Sequence, residues 1–225
     1  MAVRRSWAPP ARTDSWPAIA DPFFSLAHDD RSGRPRLHER ALPAGLSAAL
    51  LMELVLARRI EIDPDQVRVI SANPPTDAVA TTILNDLLIA PEKSAADWLS
   101  TWEDTVYERV VGRLLSAGQI EMVTRRRFLV TYAGYQPVNR TAGSGVAVRL
   151  ETLLLKGDPL SAEDAALCGL IAATGMSRKR EMWRKQNRDL CRKRLDAVVQ
   201  GLRPSLTVLV NETQTLLDQA VAAPS

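Results

Sequence analysis

The chain has 225 residues, 46% of them hydrophobic and 24% charged, and a formal net charge of +3. This composition excludes a wholly disordered chain, and so small a net charge excludes a molecule-wide electrostatic field. No run of about 18 apolar residues exists to cross a membrane, and Met1 to Trp16 lacks the apolar stretch of a secretory signal.

The length suits one compact domain, expected over residues 21–225 behind a flexible tail at 1–20 that carries Trp7 and Trp16. Only 5% of residues are aromatic, so Leu, Val, Ile and Ala must build the core. Phe23 to Ala27 is a short apolar start, followed by a turn from His28 to Pro35 around Gly33. Leu46, Leu50, Leu51, Leu54 and Val55 recur at helical spacing and predict a helix over Pro43 to Arg59. Glu61 to Ile70 reads as a hairpin around Pro64-Asp65. Thr76 or Asp77 caps the next helix, which carries Val79, Ile83, Leu87 and Leu88. Ser94 caps a helix bearing Trp98 and Trp102, and Thr105 to Ala117 is a further helix ended by Gly118. A second hairpin follows, with strands at 119–123 and 128–132 joined by Thr124-Arg125-Arg126-Arg127. Gly143-Ser144-Gly145 reads as a polar loop. Helices are expected at Val146 to Leu155, Ser161 to Thr174, Arg178 to Leu202 and Ser205 to Ala223. The fold class is therefore mainly α.

Residues 51–62 and 111–122 repeat one pattern: an apolar helix, a tight turn and an Ile-Glu strand start. Helix–turn–hairpin is also how a winged helix reads, so nucleic-acid binding is one reading of the fold. Against it, Pro43–Arg59 has cations only at its end, and Arg109 and Arg113 share their helix with Glu108.

The two histidines, His28 and His38, match no catalytic motif, and no phosphate-binding loop, nucleophile elbow or metalloprotease pattern is present. The chain is therefore expected not to be an enzyme and to need neither cofactor nor metal. Cys168 and Cys191 sit in apolar helical patterns and read as reduced core residues. Charge is unevenly spread: residues 178–194 hold nine cations against Glu181 and Asp189, a local +7 that leaves −4 for the rest. Met176, Trp183, Leu190 and Ala197 fall at sevenfold spacing, with Cys191, Leu195 and Val198 beside them. They define a core-facing stripe that leaves Arg178, Lys179, Arg184, Lys185, Arg188 and Arg192 as a basic face.

Four segments stand out with these elements in order: Phe24 to Gly33, the helix Gly45-Leu-Ser-Ala-Ala-Leu-Leu-Met-Glu-Leu-Val-Leu-Ala-Arg-Arg-Ile60, Pro75 to Asp77, and Glu108-Arg109 to Ile120. In these segments the chain resembles the Golgi phosphoprotein 3 family. The resemblance implies a single compact helical domain with a protruding β-hairpin, to which the repeat adds winged-helix-like helix–hairpin elements. It also implies a peripheral membrane protein that binds a phosphoinositide headgroup, phosphatidylinositol 4-phosphate in the eukaryotic members. There one Trp and three Arg hold the headgroup; the matching positions here are His38, Ser47, Asp104 and Tyr107. Nearby Arg34, Arg36, Arg40 and Arg109 offer a different anion site. The resemblance further implies a hairpin that touches the bilayer and helps assemble oligomers, carried here by Arg125, Arg126, Arg127, Phe128, Leu129 and Tyr132.

The expected function is peripheral binding of lipid headgroups with altered or lost specificity, on the cytoplasmic face of a membrane. The partners expected are anionic phospholipid, with low specificity, and a second copy of the chain. The alternative is a protein–protein adaptor or scaffold without lipid binding; a nucleic-acid partner is not expected.

Overall fold

The computed structural model describes residues 16–127 and 130–222, with the backbone alone at 124–127, 130–133 and 221. Trp7 and the rest of residues 1–15 lie outside the described part. Residues 16–20 belong to the folded domain rather than to a tail, because Ile19 and Ala20 are fully buried.

The elements are α1 (Ala20–Ala27), α2 (Ala41–Leu56), β1 (Ile60–Ile62), β2 (Val67–Val69), α3 (Ala78–Ile89), α4 (Ala95–Thr101) and α5 (Val106–Ser116). They continue with β3 (Ile120–Arg127), β4 (Val130–Pro137), α6 (Ala142–Lys156), α7 (Ala162–Ala173), a 3₁₀ turn (Met176–Arg178), α8 (Arg188–Gln200) and α9 (Pro204–Ala222). The protein is mainly α, with two antiparallel hairpins among the described residues. None of the described helices is long and apolar enough to cross a membrane.

The core is organised around α2, which buries thirteen of its sixteen residues. A helix apolar on every face is stable only when encased, and α1, α3, α4, α5, α7 and α9 all pack on it. Gly45 lets α1 approach closely: a Cβ there would stand 2.3 Å from the ring of Phe23. Local signals set three of the helix starts. Asp77 accepts from the Ala80 amide, Ser94 and Asp97 form a reciprocal capping box, and Ser161 accepts from the Asp164 amide.

The repeated pattern folds the same way twice. Helix α2 passes through Arg58 (φ 54°) into β1, and α5 passes through Gly118 (φ 64°) into β3. In the first copy the Arg58 and Arg59 amides donate to the carbonyls of Val55 and Leu54; in the second, Gly118 and Gln119 donate to Leu115 and Leu114. This is a helix end closed by a left-handed residue.

Three expectations are corrected. Gly143-Ser144-Gly145 is the first turn of α6, not a loop, because the Asp30 carboxylate accepts from the Gly143 and Ser144 amides and caps the helix from a distant segment. Arg178–Leu202 is not one helix. It breaks into the 3₁₀ turn, an irregular stretch at 179–187 and α8. Trp183, buried with its indole nitrogen donating to the Ser177 carbonyl, folds that stretch onto the core. Leu190 is therefore 44% exposed rather than part of a core stripe, and Ala197 is exposed too. Finally, Arg125–Arg127 are the last residues of β3, paired with Tyr132, Thr131 and Val130, and not the connecting turn. The ladder needs only backbone groups, so a run of arginines does not interrupt it.

Candidate functional site

The turn after α1 assembles the region from the sequence upward. Asp29 accepts from the Arg31 amide and from both the amide and the hydroxyl of Ser32. The Ser32 groups hold its carboxyl below the usual carboxylate range. Gly33, at φ 65°, lies so close to β4 that a Cβ would stand 2.0 Å from the Tyr135 carbonyl oxygen. Asp30 caps α6. One acidic turn with a glycine thus joins α1, α6 and the root of the second hairpin.

Above it sits an aromatic cluster. The His28 ring stacks on Phe24 at 3.9 Å, and the Tyr107 ring lies 5.9 Å from His28 and 6.3 Å from Tyr135. His28 Nδ1 is 2.7 Å from the Phe24 carbonyl, which can only accept, so Nδ1 carries the proton and Nε2 accepts from the Tyr107 hydroxyl at 3.3 Å. Burial holds the His28 pKa down at about 4, aided by the Arg36 charge against the opposing Phe24 hydrogen bond. Burial, with Glu108 and Tyr135 adding to it, pushes Tyr107 up to about 12. Both groups are neutral at pH 7.

A charged centre lies where α1, α2, α3 and α5 meet. Glu53 is fully buried and pairs with Arg113, Nη1 to Oε2 at 2.9 Å and Nη2 to Oε1 at 3.1 Å. Its carboxylate also accepts from the Ile19 and Ala20 amides and from the Trp16 indole nitrogen. Arg113 reaches Asp21 at 2.6 Å and Asp77 at 3.5 Å. Burial opposes the Arg113 charge, but Glu53, Asp21 and Asp77 outweigh it and raise its pKa. Glu53 and Arg113 occupy equivalent positions of the internal repeat, so the two copies meet through complementary charges. Sequence reasoning had missed this centre. The available signal was a single carboxylate inside the apolar run Leu50 to Leu56.

The four positions offered by the family likeness do not share one environment. Ser47 is fully buried in α2, with no hydrogen-bond partner for its Oγ among the described residues. His38 and Asp104 are exposed, on the loop before α2 and the turn before α5. Tyr107 belongs to the aromatic cluster. Of the nearby arginines, Arg109 pairs with Asp86 at 2.8 Å, beside the Trp102 indole on the same oxygen, and Arg36 pairs with Asp29 at 3.4 Å.

A family model for Golgi phosphoprotein 3 (GPP34) matches residues 19–222. The chain belongs to that family. Comparison with curated proteins gives no match. The segments that carry the family likeness are, in this Golgi phosphoprotein 3 domain, largely the ones that build its frame: the turn with Gly33, the encased α2 with Glu53, and α5 with Arg113.

The basic segment of this family member divides into two groups. Arg184 pairs with the buried Glu151, which also accepts from Asn187 Nδ2. Arg192 donates to the Ser177 carbonyl, Arg188 to that of Arg180, and Arg194 to those of Leu154 and Leu155 at the end of α6. Arg178 at the end of the 3₁₀ turn and Lys179, Arg180 and Lys185 on the irregular stretch are exposed. In the hairpin, Ile120 and Gln136 are buried at the root while Met122 is 67% exposed. Phe128 and Leu129 lie outside the described residues. Burial pushes the Cys168 thiol up to about 12 and raises Cys191 as well, so neither is poised as a nucleophile.

Proposed function

We propose that this protein attaches peripherally to anionic membrane surfaces through charge, without reading a particular headgroup. The observation that carries this reading is the exposed set Arg178, Lys179, Arg180 and Lys185, opposed locally by Glu181. Each cation near an anionic leaflet contributes roughly 1 kcal/mol, additively and without geometric demand. Headgroup selectivity needs convergent cations, and His38, Ser47, Asp104 and Tyr107 supply an exposed imidazole, a buried hydroxyl, an exposed carboxylate and a phenol instead. The three arginines that end β3 would add to the same attraction.

Vesicle co-sedimentation tests this. Binding is expected to mixed phosphatidylcholine–phosphatidylglycerol vesicles and not to phosphatidylcholine alone. It should fall steeply with salt and should be no stronger for phosphatidylinositol 4-phosphate at equal surface charge. Lys179→Glu with Arg180→Glu and Lys185→Glu should abolish it. Retention by the charge-reversed protein, or no recruitment to any anionic vesicle, would end the proposal. The exposed Met122 and Val138 favour a second reading, self-association through the second hairpin. Light scattering on the native chain and on Met122→Glu separates it from lipid attachment.

A further inference from the structure

A cleft of about 510 Å³ lies between the end of α2, the β1–β2 hairpin and the start of α9, and no residue of the basic segment lines it. Val55, Ile60, Ile62, Ile70 and Pro204 give it apolar walls, and Arg58, Arg68 and Arg203 give it charge against Glu61. Its size lies within the range of roughly 300–1,000 Å³ usual for small-ligand sites. Arg68 stands between Glu61 at 3.9 Å and Asp63 at 3.5 Å, so the hairpin's own acids are answered within the hairpin. Arg58 and Arg203 have no ion pair and no side-chain hydrogen bond among the described residues.

Arg58 is also where the backbone is strained. It is the only non-glycine residue with positive φ among those described. The second copy of the same helix end uses Gly118, the residue that suits this conformation. A side chain kept in a left-handed conformation, where glycine would be less costly, and given no partner inside the fold points to a role outside it. Pro204 and Ser205 begin the 19-residue α9 and line the same cleft, so the positive end of a long helix adds to the field. The Ser205 hydroxyl is already engaged, accepting from the Ile62 amide and donating to its carbonyl. That contact fixes the helix start against β1.

We propose that this cleft binds a phosphate monoester, with Arg58 and Arg203 gripping the dianion and the apolar walls taking the organic part of the ester. Guanidinium pairs suit phosphate oxygens in geometry and charge. With Arg68 held by Glu61 and Asp63, Arg58 and Arg203 are the two cations left to meet the dianion.

The test uses the full chain with two probes, phenyl phosphate by titration calorimetry and phosphatidylcholine vesicles containing phosphatidic acid by flotation. Arg58→Gly should raise Tm, because it relieves the backbone, and yet weaken probe binding about tenfold or more. Arg203→Ala should weaken it comparably. The triple charge reversal of the 179–185 stretch should leave phenyl phosphate binding unchanged, which separates this site from the membrane proposal. Binding of phenyl phosphate identifies a soluble ester as sufficient. Arg58-dependent binding of phosphatidic acid vesicles alone identifies a lipid-borne phosphate. Affinity within twofold of native in both arginine variants, or no binding of either probe, overturns the proposal.

Discussion

The helix–turn–hairpin at residues 51–70 and its counterpart beginning at Val111 start from one local pattern and finish in different surroundings. Helix α2 is apolar on every face and is encased; α5 buries Val106, Val110, Val111 and Leu114 and leaves Glu108 and Gly112 at the surface. The first hairpin has three residues per strand and rests against α9, while the second has eight and is packed at its root. Shared helix-end geometry follows from the repeated local sequence. Burial instead follows from how much of each helix surface is apolar. The copies then meet at equivalent positions through Glu53 and Arg113, where neither would be tolerated alone.

Breaking that meeting point should have the largest effect. Glu53→Ala leaves Arg113 buried without its main partner and frees the Ile19 and Ala20 amides, so about 3–5 kcal/mol of stability should go in urea denaturation. Exchanging the charges, Glu53→Arg with Arg113→Glu, should not restore it, because those amides and the Trp16 indole require an acceptor at position 53. A loss under about 1 kcal/mol would show that the centre does not join the copies, and rescue by the exchange would show that the charge pair alone joins them without the amides.

The next effect concerns how the second copy is fastened to α1 through His28 and Tyr107. The His28 pKa lies at about 4 in the folded chain against 6.5 without the fold. Between those values the unfolded chain binds a proton that the folded chain refuses. Stability is therefore fully present above pH 6.5 and falls as pH drops toward 4, by about 3 kcal/mol in all. His28→Gln should flatten that part of the stability profile; an unchanged slope would assign it to other groups.

The smallest effect sharpens the comparison most directly. Arg58→Gly should stabilise the chain by about 1 kcal/mol, and Gly118→Arg should destabilise it by about the same amount, since both positions are left-handed. Equal signs for the two changes in thermal unfolding would mean that the helix ends are not equivalent.

Much of the frame was legible in order along the chain. Asp77, Ser94 and Ser161 mark helix starts because a cap acts within three residues. The repeat announced two matching helix ends because such an end needs only its last turn. The candidate site was less legible. The family likeness offered His38, Ser47, Asp104 and Tyr107 together, but Ser47 faces the core and Tyr107 joins an aromatic cluster. Which side of a helix is covered depends on its neighbours. The 178–194 segment misled for a related reason: sevenfold spacing implied one helix, whereas burial of Trp183 and the hydrogen bonds around Ser177 outweigh local helix preference there.

Local sequence thus settled the mainly helical class, the order of elements, the caps and the duplicated helix end, all of which depend on contacts a few residues apart. The tertiary structure alone decided that Glu53 faces Arg113 across sixty positions, that Asp30 starts α6 across more than a hundred, and that Arg58 and Arg203 share a cleft. Those outcomes depend on which surfaces are brought together and dried, and dehydration changes the energy of a charge or an amide far more than its neighbours in sequence do.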